Sequence, residues 1–350
     1  MHPIPWPDAA RHAAFNHWLA AIGLRHGLNP ETLTAASADA SFRRYLRIAG
    51  HAGNLIVMDA PPPQEDVLPF VHVAGLMQAA GLNAPRVLES DPEHGFLLLT
   101  DLGQQLYLDA LQGAAPAAAE DLMRDAMQAL VQFQCKVSAD SLPPFDEALL
   151  ARELALFPEW CVQREFGITW TAIEHGRWQR ACRTLIDSAL AQPQVAVHAD
   201  WMPRNLMVGA LGPGQPGNPG ILDFQDAVRG PITYDLASLL RDAFISWPEE
   251  QEIDWGVRWW SQARAAGLPV DADFGEFWRA LEWMGLQRHL KVMGIFCRLK
   301  HRDGKPRYAQ DLPRFFAYAT RVAVRYGPLT PLLRLLEPLS GKAVTAGYTF

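Results

Sequence analysis

The stretch VHADWMPRNLMV, residues 197–208, constrains this chain more than any other part of it. It places His198, Asp200 and Asn205 between two short apolar runs that we expect to be strands. A second stretch, LDFQD, follows and contributes Asp223. Carboxylate and amide oxygens at strand ends, without clustered cysteine or histidine, suit a hard cation such as Mg²⁺. A carboxylate outside a metal site can accept a proton from an alcohol.

Length and composition limit the classes of protein to consider. A chain of 350 residues is expected to form two lobes, and a formal net charge of -7 argues against a nucleic-acid partner. The four cysteines include no CxxC pair, so we expect free thiols. No apolar run approaches the roughly 20 residues that span a bilayer, and the first residues lack a signal-peptide pattern. We expect a cytoplasmic protein that has no membrane partner.

The pattern of apolar residues predicts an α+β fold with a β-rich first lobe, residues 1–101, and a mainly helical second lobe, residues 102–350. In the first lobe, helices are predicted over 8–22 and 64–81, and strands over 33–37, 42–49, 54–60, 85–90 and 95–100. In the second lobe, helices are predicted over 119–138, 146–165, 172–191 and much of 233–340, and strands over 195–198, 205–208 and 220–224. A ligand is expected in a cleft between lobes.

At these motifs the chain resembles the protein-kinase-like fold. HADWMPRN matches the HxDxxxxN catalytic loop of that fold, and LDFQD stands where the fold carries its metal-binding segment. LLLTDLG is similar to the interlobe linker of the aminoglycoside phosphotransferase and choline kinase branch. DASFRRY and LDFQDAVRGPITYDLASLLRDAF resemble bacterial kinases of cell-wall recycling. The resemblance implies a kinase that uses ATP and Mg²⁺ to phosphorylate the anomeric hydroxyl of N-acetylmuramate or N-acetylglucosamine.

The same resemblance implies the chemical roles of individual residues. Asp200 corresponds to the catalytic base that orients the acceptor hydroxyl and takes its proton. Asn205 and Asp223 correspond to Mg²⁺ ligands. Phosphoryl transfer requires positioning and charge neutralisation more than covalent catalysis, and these residue types supply both.

Other residues are expected to bind the nucleotide or to support the site. The linker backbone of Thr100, Asp101 and Leu102 is expected to contact the adenine. His198 is expected to support the loop by packing and hydrogen bonding. Two further carboxylates leave alternatives open. Asp226 is a second metal ligand or an acceptor-orienting group, and Asp235 is an anchor of the catalytic loop or an acid in the first turn of a helix.

The chain departs from the family pattern on the third strand, LIVMDAPP. A lysine that holds the nucleotide phosphates is usual there, but Met58 or Asp59 stands near its place. Strand alternation puts Arg44 on the face of its apolar neighbours. We therefore predict that Arg44 supplies the missing positive charge, with a surface arginine as the alternative. Ser41, in the connection ADAS, is predicted to lie in place of a glycine-rich loop.

Two alternative functions follow from the same residues. The first is a kinase for another small alcohol or an aminoglycoside, although the cations Arg288, Lys291 and Arg298 argue against a polycationic acceptor. The second is a nucleotide-binding pseudokinase, which the missing strand lysine favours and the complete motif opposes. QRHLK, residues 287–291, is predicted either to hold a carboxylate or to form a solvated helix face.

Overall fold

The computed structural model describes residues 4–37, 42–215 and 217–340. These residues form two compact units. The first contains the described residues up to Ala129 together with Arg204–Asp226, and the second contains Leu130–Pro203 and the described residues from Ala227 onward. The first unit therefore extends beyond the predicted boundary at residue 101 and includes a segment from the middle of the chain. Sequence patterns missed this because they assign neighbouring residues to one domain.

The first unit contains a five-stranded antiparallel sheet. Its strands are β1 (Asn29–Ser37), β2 (Arg44–Gly50), β3 (Gly53–Asp59), β4 (Val87–Asp91) and β5 (Phe96–Thr100), in the spatial order β1-β2-β3-β5-β4. Gly53 has φ 124° at the tight turn between β2 and β3, which a residue with a side chain would rarely adopt. All five predicted strands are present.

One face of this sheet is covered by α1 (Ala9–His26). The helix begins at Asp8, whose side chain accepts a hydrogen bond from the Arg11 backbone N–H. It ends at Gly27, which is left-handed with φ 61°. Its buried side chains join those of alternate strand residues in one core, made of Phe15, Trp18, Leu19, Ile22, Leu46, Ile48, Val57, Phe96 and Leu98.

The first unit also contains α2 (Leu68–Ala79) and α3 (Tyr107–Leu111). Pro69 lies at the start of α2, where its missing N–H is tolerated. A two-stranded sheet pairs β7 (Leu206–Met207) with β8 (Gly220–Ile221). The helix α4 (Pro116–Lys136) contains the division between the two units.

The second unit is mainly helical. Its elements are α5 (Glu147–Leu156), a π-helix over Phe157–Glu165, α6 (Ala172–Ala191), β6 (Gln194–Val197), β9 (Val228–Pro231), α7 (Tyr234–Leu240), α8 (Glu249–Ala265), α9 (Phe274–His301), α10 (Leu312–Arg325) and α11 (Thr330–Ser340). The strands β6 and β9 pair in antiparallel fashion. No helix in the described part of the chain has the length and apolar character that crossing a membrane requires.

Candidate active site

The first unit contains a cavity of about 350 Å³ against one face of its sheet. Tyr45 and Arg47 of β2, Ile56 of β3 and Leu99 of β5 line it. Arg47 is paired with Ile56 across β2 and β3, and Ile56 is paired with Leu99 across β3 and β5. Paired residues share a sheet face, so the cavity lies on the face opposite the α1 core.

The segment after β5 forms a second wall of the cavity. Thr100, Asp101 and Leu102 line it, and their contact with adenine stays a prediction. Arg47 Nε donates to Asp101 Oδ2 at 2.6 Å, and Arg47 Nη2 donates to the Gly103 carbonyl oxygen at 2.7 Å. These charge-assisted bonds fix the path of the linker backbone beside the cavity.

Asn205 and Asp223 also line this cavity, from either side of the β7–β8 pair. The Leu222 backbone N–H donates to the Asn205 carbonyl oxygen at 2.9 Å, which brings the two ends of the hairpin together. Asn205 Nδ2 lies 3.4 Å from Asp223 Oδ2. Asp223 has φ 61°, a conformation that aspartate and asparagine adopt more readily than most residues. The structure thus brings together two residues that are eighteen positions apart.

The chemistry of this pair fits Mg²⁺. An amide and a carboxylate offer oxygen ligands, and few protein ligands are needed because Mg²⁺ commonly keeps waters and phosphate oxygens. Gln225 Nε2 donates to Asp223 Oδ1 at 3.0 Å and to Asp226 Oδ2 at 3.1 Å. Asp226 is exposed, and the Gln225 amide connects it to Asp223. Residues 4–37, 42–215 and 217–340 contain no group of three or more His, Cys, Asp or Glu side chains arranged to hold a metal.

The second unit contains Asp200, whose side chain is 40% exposed, on a loop after β6. Asp235 supports this loop. It is fully buried in the first turn of α7, and its carboxylate accepts the backbone N–H groups of His198 at 2.7 Å and Ala199 at 3.0 Å. Asp235 is therefore both an anchor of the loop that carries Asp200 and an acid in the first turn of a helix. Burial raises the pKa of Asp235 to about 7, and the two N–H groups oppose that rise.

His198 lies inside the second unit, away from solvent. Its Nδ1 accepts the Asp200 backbone N–H at 3.3 Å, and its ring packs edge-on against Trp201 with centroids 5.4 Å apart. Both side chains are fully buried. These contacts make His198 a support of the loop that carries Asp200, which agrees with the role suggested by the sequence.

The structure does not place Arg44, the predicted phosphate contact, among the residues that line the cavity. Arg44 pairs with Asp59 across β2 and β3, on the face covered by α1. Its Nε donates to Asp59 Oδ2 at 3.0 Å, and its guanidinium lies over the Trp6 ring, 4.4 Å from the centroid. The alternation of side chains along β2 was predicted correctly. However, the apolar face that carries Arg44 packs against α1, and the cavity lies on the opposite face of the sheet. Ser41 lies outside the described residues.

Two other arginines lie beside candidate site residues, each within its own unit. Arg204, immediately before Asn205, lines the cavity of the first unit. In the second unit, Arg288 is 3% exposed, and its Nη2 lies 3.5 Å from Asp200 Oδ1. A solvated face for residues 287–291 is therefore wrong, because Gln287, Arg288 and His289 are all buried. The run of consecutive polar residues in QRHLK was the feature of the sequence that could have indicated this buried polar cluster.

Comparison with known proteins identifies the family. Residues 32–281 match the phosphotransferase enzyme family. The chain belongs to this family. Relatives from Pseudomonas putida and Pseudomonas aeruginosa, each named N-acetylmuramate/N-acetylglucosamine kinase, are 52% and 49% identical to it. The first comparison covers 89% of this chain and 89% of the relative, and the second covers 95% and 98%.

Solved structures show the same fold at low sequence identity. An ethanolamine kinase from Plasmodium vivax superposes with a TM-score of 0.61 at 9% identity, covering 95% of this chain and 91% of that one. An ADP-bound aminoglycoside phosphotransferase gives a TM-score of 0.55 at 13% identity, covering 90% and 99%. The fold of the chain is that of the protein-kinase-like phosphotransferases, and the predicted fold class and family are confirmed.

Proposed function

We propose that the protein transfers the γ-phosphoryl group of ATP to the anomeric hydroxyl of N-acetylmuramate or N-acetylglucosamine. The observation that carries this proposal is the 52% identity, over 89% of the chain, to a relative named for these two sugars. The site is consistent with it, since Asp200, Asn205 and Asp223 are the residue types that phosphoryl transfer to an alcohol needs.

In this proposal Asp200 accepts the proton of the anomeric hydroxyl. The sugar oxygen then forms a bond to the γ-phosphorus, the bond from that phosphorus to the bridging oxygen breaks, and ADP leaves. The buried carboxylate of Asp235 holds the backbone on which Asp200 is mounted. Loop support of this kind matters because small displacements of a general base reduce the rate strongly.

The nucleotide is proposed to occupy the cavity of the first unit. Adenine would contact the linker backbone at Thr100, Asp101 and Leu102. The hydrogen bond from Arg47 to Asp101 holds this segment in place. Asn205 and Asp223 would hold Mg²⁺, which would supply positive charge to neutralise the nucleotide phosphates. Arg204 takes the place of Arg44 as the candidate phosphate contact, because it lines the cavity next to Asn205.

A product assay tests the acceptor and the position of phosphorylation together. The protein is incubated with ATP, Mg²⁺ and each sugar, and ADP formation is followed with the loss of reducing sugar. Phosphorylation of the anomeric oxygen removes the reducing end, whereas phosphorylation of any other hydroxyl leaves it intact. We expect equal amounts of ADP and of lost reducing ends. ADP formation with intact reducing ends would contradict the anomeric assignment.

The alternative functions predict different outcomes of the same assay. A kinase for another alcohol would turn over only when a panel of other alcohols is supplied. A nucleotide-binding protein without activity would bind ATP and release no ADP with any acceptor. An aminoglycoside acceptor is disfavoured by Arg288, whose positive charge lies beside the proposed base.

A further inference from the structure

The guanidinium of Arg288 lies beside the carboxylate of Asp200. Nη2 of Arg288 is 3.5 Å from Oδ1 of Asp200. A hydroxyl that hydrogen-bonds to this oxygen would lie within roughly 6 Å of the guanidinium, since such a bond adds only about 2.7 Å. The substituents next to the reacting hydroxyl would therefore lie in the electric field of Arg288.

Arg288 packs against Tyr234, whose hydroxyl belongs to a network of neighbouring polar groups. Its guanidinium lies over the ring of Tyr234, 5.6 Å from the centroid. Lys291 Nζ donates to the Tyr234 hydroxyl at 3.1 Å and forms an ion pair with Glu153 at 2.6 Å. Gln287 Nε2 donates to the other Glu153 oxygen at 2.9 Å. One turn of α9 thus carries a cluster of polar side chains, and the charge of Lys291 is neutralised by its ion pair with Glu153.

The charge of Arg288 interacts with the buried carboxylates of Asp235 and Asp242, but its hydrogen bonds do not account for its burial. A guanidinium has five N–H donors, and burying it without acceptors is costly. Its side chain is 4% exposed, its bond to Asp200 is long, and its Nε has no acceptor among the residues that the structure describes. The side chain of Asp200 is ten times as exposed, at 40%. An oxygen-bearing ligand at Asp200 would lie close enough to interact with the charge of this guanidinium.

We propose that Arg288 sets the charge preference of the acceptor subsite. It favours acceptors that carry neutral or anionic oxygen groups near the reacting hydroxyl, and it disfavours acceptors that carry an ammonium group there. This inference rests on the proposed function and deepens it, because it names the residue that selects N-acylated over free amino sugars. A cation in direct reach of the acceptor discriminates by charge even where the shapes of two acceptors are similar.

The test uses three acceptors that share one ring and differ in charge. N-acetylmuramate carries one negative charge, N-acetylglucosamine is neutral, and glucosamine carries one positive charge. We expect the wild type to prefer the two N-acetylated sugars. For Arg288→Met, the quantity to compare is kcat/KM for each charged sugar divided by kcat/KM for N-acetylglucosamine. This ratio is expected to fall about tenfold for N-acetylmuramate and to rise about tenfold for glucosamine, because a charge at this range acts through a protein-like dielectric.

Two control variants separate a charge effect from a structural one. Arg288→Lys keeps the charge, so the three-acceptor ratios should stay near those of the wild type even if all rates fall. Arg279→Met removes one exposed cation from the same helix, and its ratios should not change. Equal loss for all three sugars in Arg288→Met would overturn the proposal and make Arg288 a support for Asp200. A wild type that phosphorylates neither N-acetylated sugar would instead refute the proposed function.

Discussion

Asp235 accepts the backbone N–H of His198 at 2.7 Å from a position with no solvent exposure. A second bond, from the Ala199 N–H at 3.0 Å, engages the other carboxylate oxygen. Ala199 has φ 77°, which is unfavourable for a residue with a side chain. Asp235 thus stabilises a strained turn immediately before Asp200, and the geometry of the proposed base depends on it.

The first prediction concerns the pH dependence of stability in Asp235→Asn. The pKa of Asp235 is about 7 in the folded protein, against an ordinary value of 3.8. The folded state therefore binds more protons than the unfolded state between these values. The stability from this protonation is fully present below pH 3.8 and is lost as the pH rises through about 7. Between these two pKa values, the free energy of unfolding of the wild type should fall by up to about 1.4 kcal/mol per pH unit. The variant should not show this decrease.

Urea unfolding at several pH values between 5 and 8 measures this difference. The quantity to compare is the wild-type free energy of unfolding minus that of Asp235→Asn. It should decrease from pH 5 to pH 7 and become constant above that. A difference that does not change with pH would show that Asp235 is ionised throughout.

The second prediction concerns Asp200→Asn. Removing the proton acceptor should reduce kcat by roughly 10²–10⁴-fold, the usual contribution of a general base. The Kd for ATP should be unchanged, because Asp200 is proposed to contact the acceptor hydroxyl and does not line the proposed nucleotide cavity. Steady-state kinetics and calorimetric titration with ATP check the two parts. Near-normal turnover would remove Asp200 from the mechanism.

The third prediction compares two arginines with different surroundings. Arg204→Ala should raise the KM for ATP, since Arg204 lines the nucleotide cavity. Arg44→Ala should leave that KM unchanged and lower the free energy of unfolding by ~1–2 kcal/mol, because it removes charged hydrogen bonds to the buried Asp59. Kinetics at varied ATP and urea unfolding separate the effects. A raised KM in Arg44→Ala alone would reverse the assignment.

The fourth prediction concerns the proposed Mg²⁺ site. Asp223→Asn keeps a side chain that tolerates the left-handed backbone at this position and removes the negative charge. We expect kcat to fall roughly 10²–10³-fold, as when one preorganised electrostatic contact is lost. The Mg²⁺ concentration for half-maximal rate should also rise. Rates measured across a Mg²⁺ titration provide both values.

Asp226→Asn is the matched control for that variant. It removes a carboxylate that binds the same Gln225 side chain but is exposed. If Asp226 only assists through Gln225, its Mg²⁺ titration should resemble that of the wild type. A shift as large as that of Asp223→Asn would favour direct ligation of the metal by Asp226.

The sequence predicted the elements with strong local patterns. The strand β2 alternates in side-chain type, β3 and β5 contain continuous apolar runs, and the helix α6 begins at a capping box formed by Thr171 and Glu174. The strand β9 was missed, because Val228–Pro231 is short and becomes a strand only by pairing with β6. Local propensity contains no information about such a partner.

The sequence by itself determined which residue types are available for the proposed chemistry, because Asp200, Asn205 and Asp223 occur in one short stretch of the chain. Only the tertiary structure decided which cations lie beside these residues. Strand alternation separated Arg44 from Arg47 but could not tell which face α1 covers. The contact between Arg288 and Asp200 joins residues that are 88 positions apart along the chain. Burial and pairing between distant residues are set by how the helices pack, and no local pattern encodes that packing.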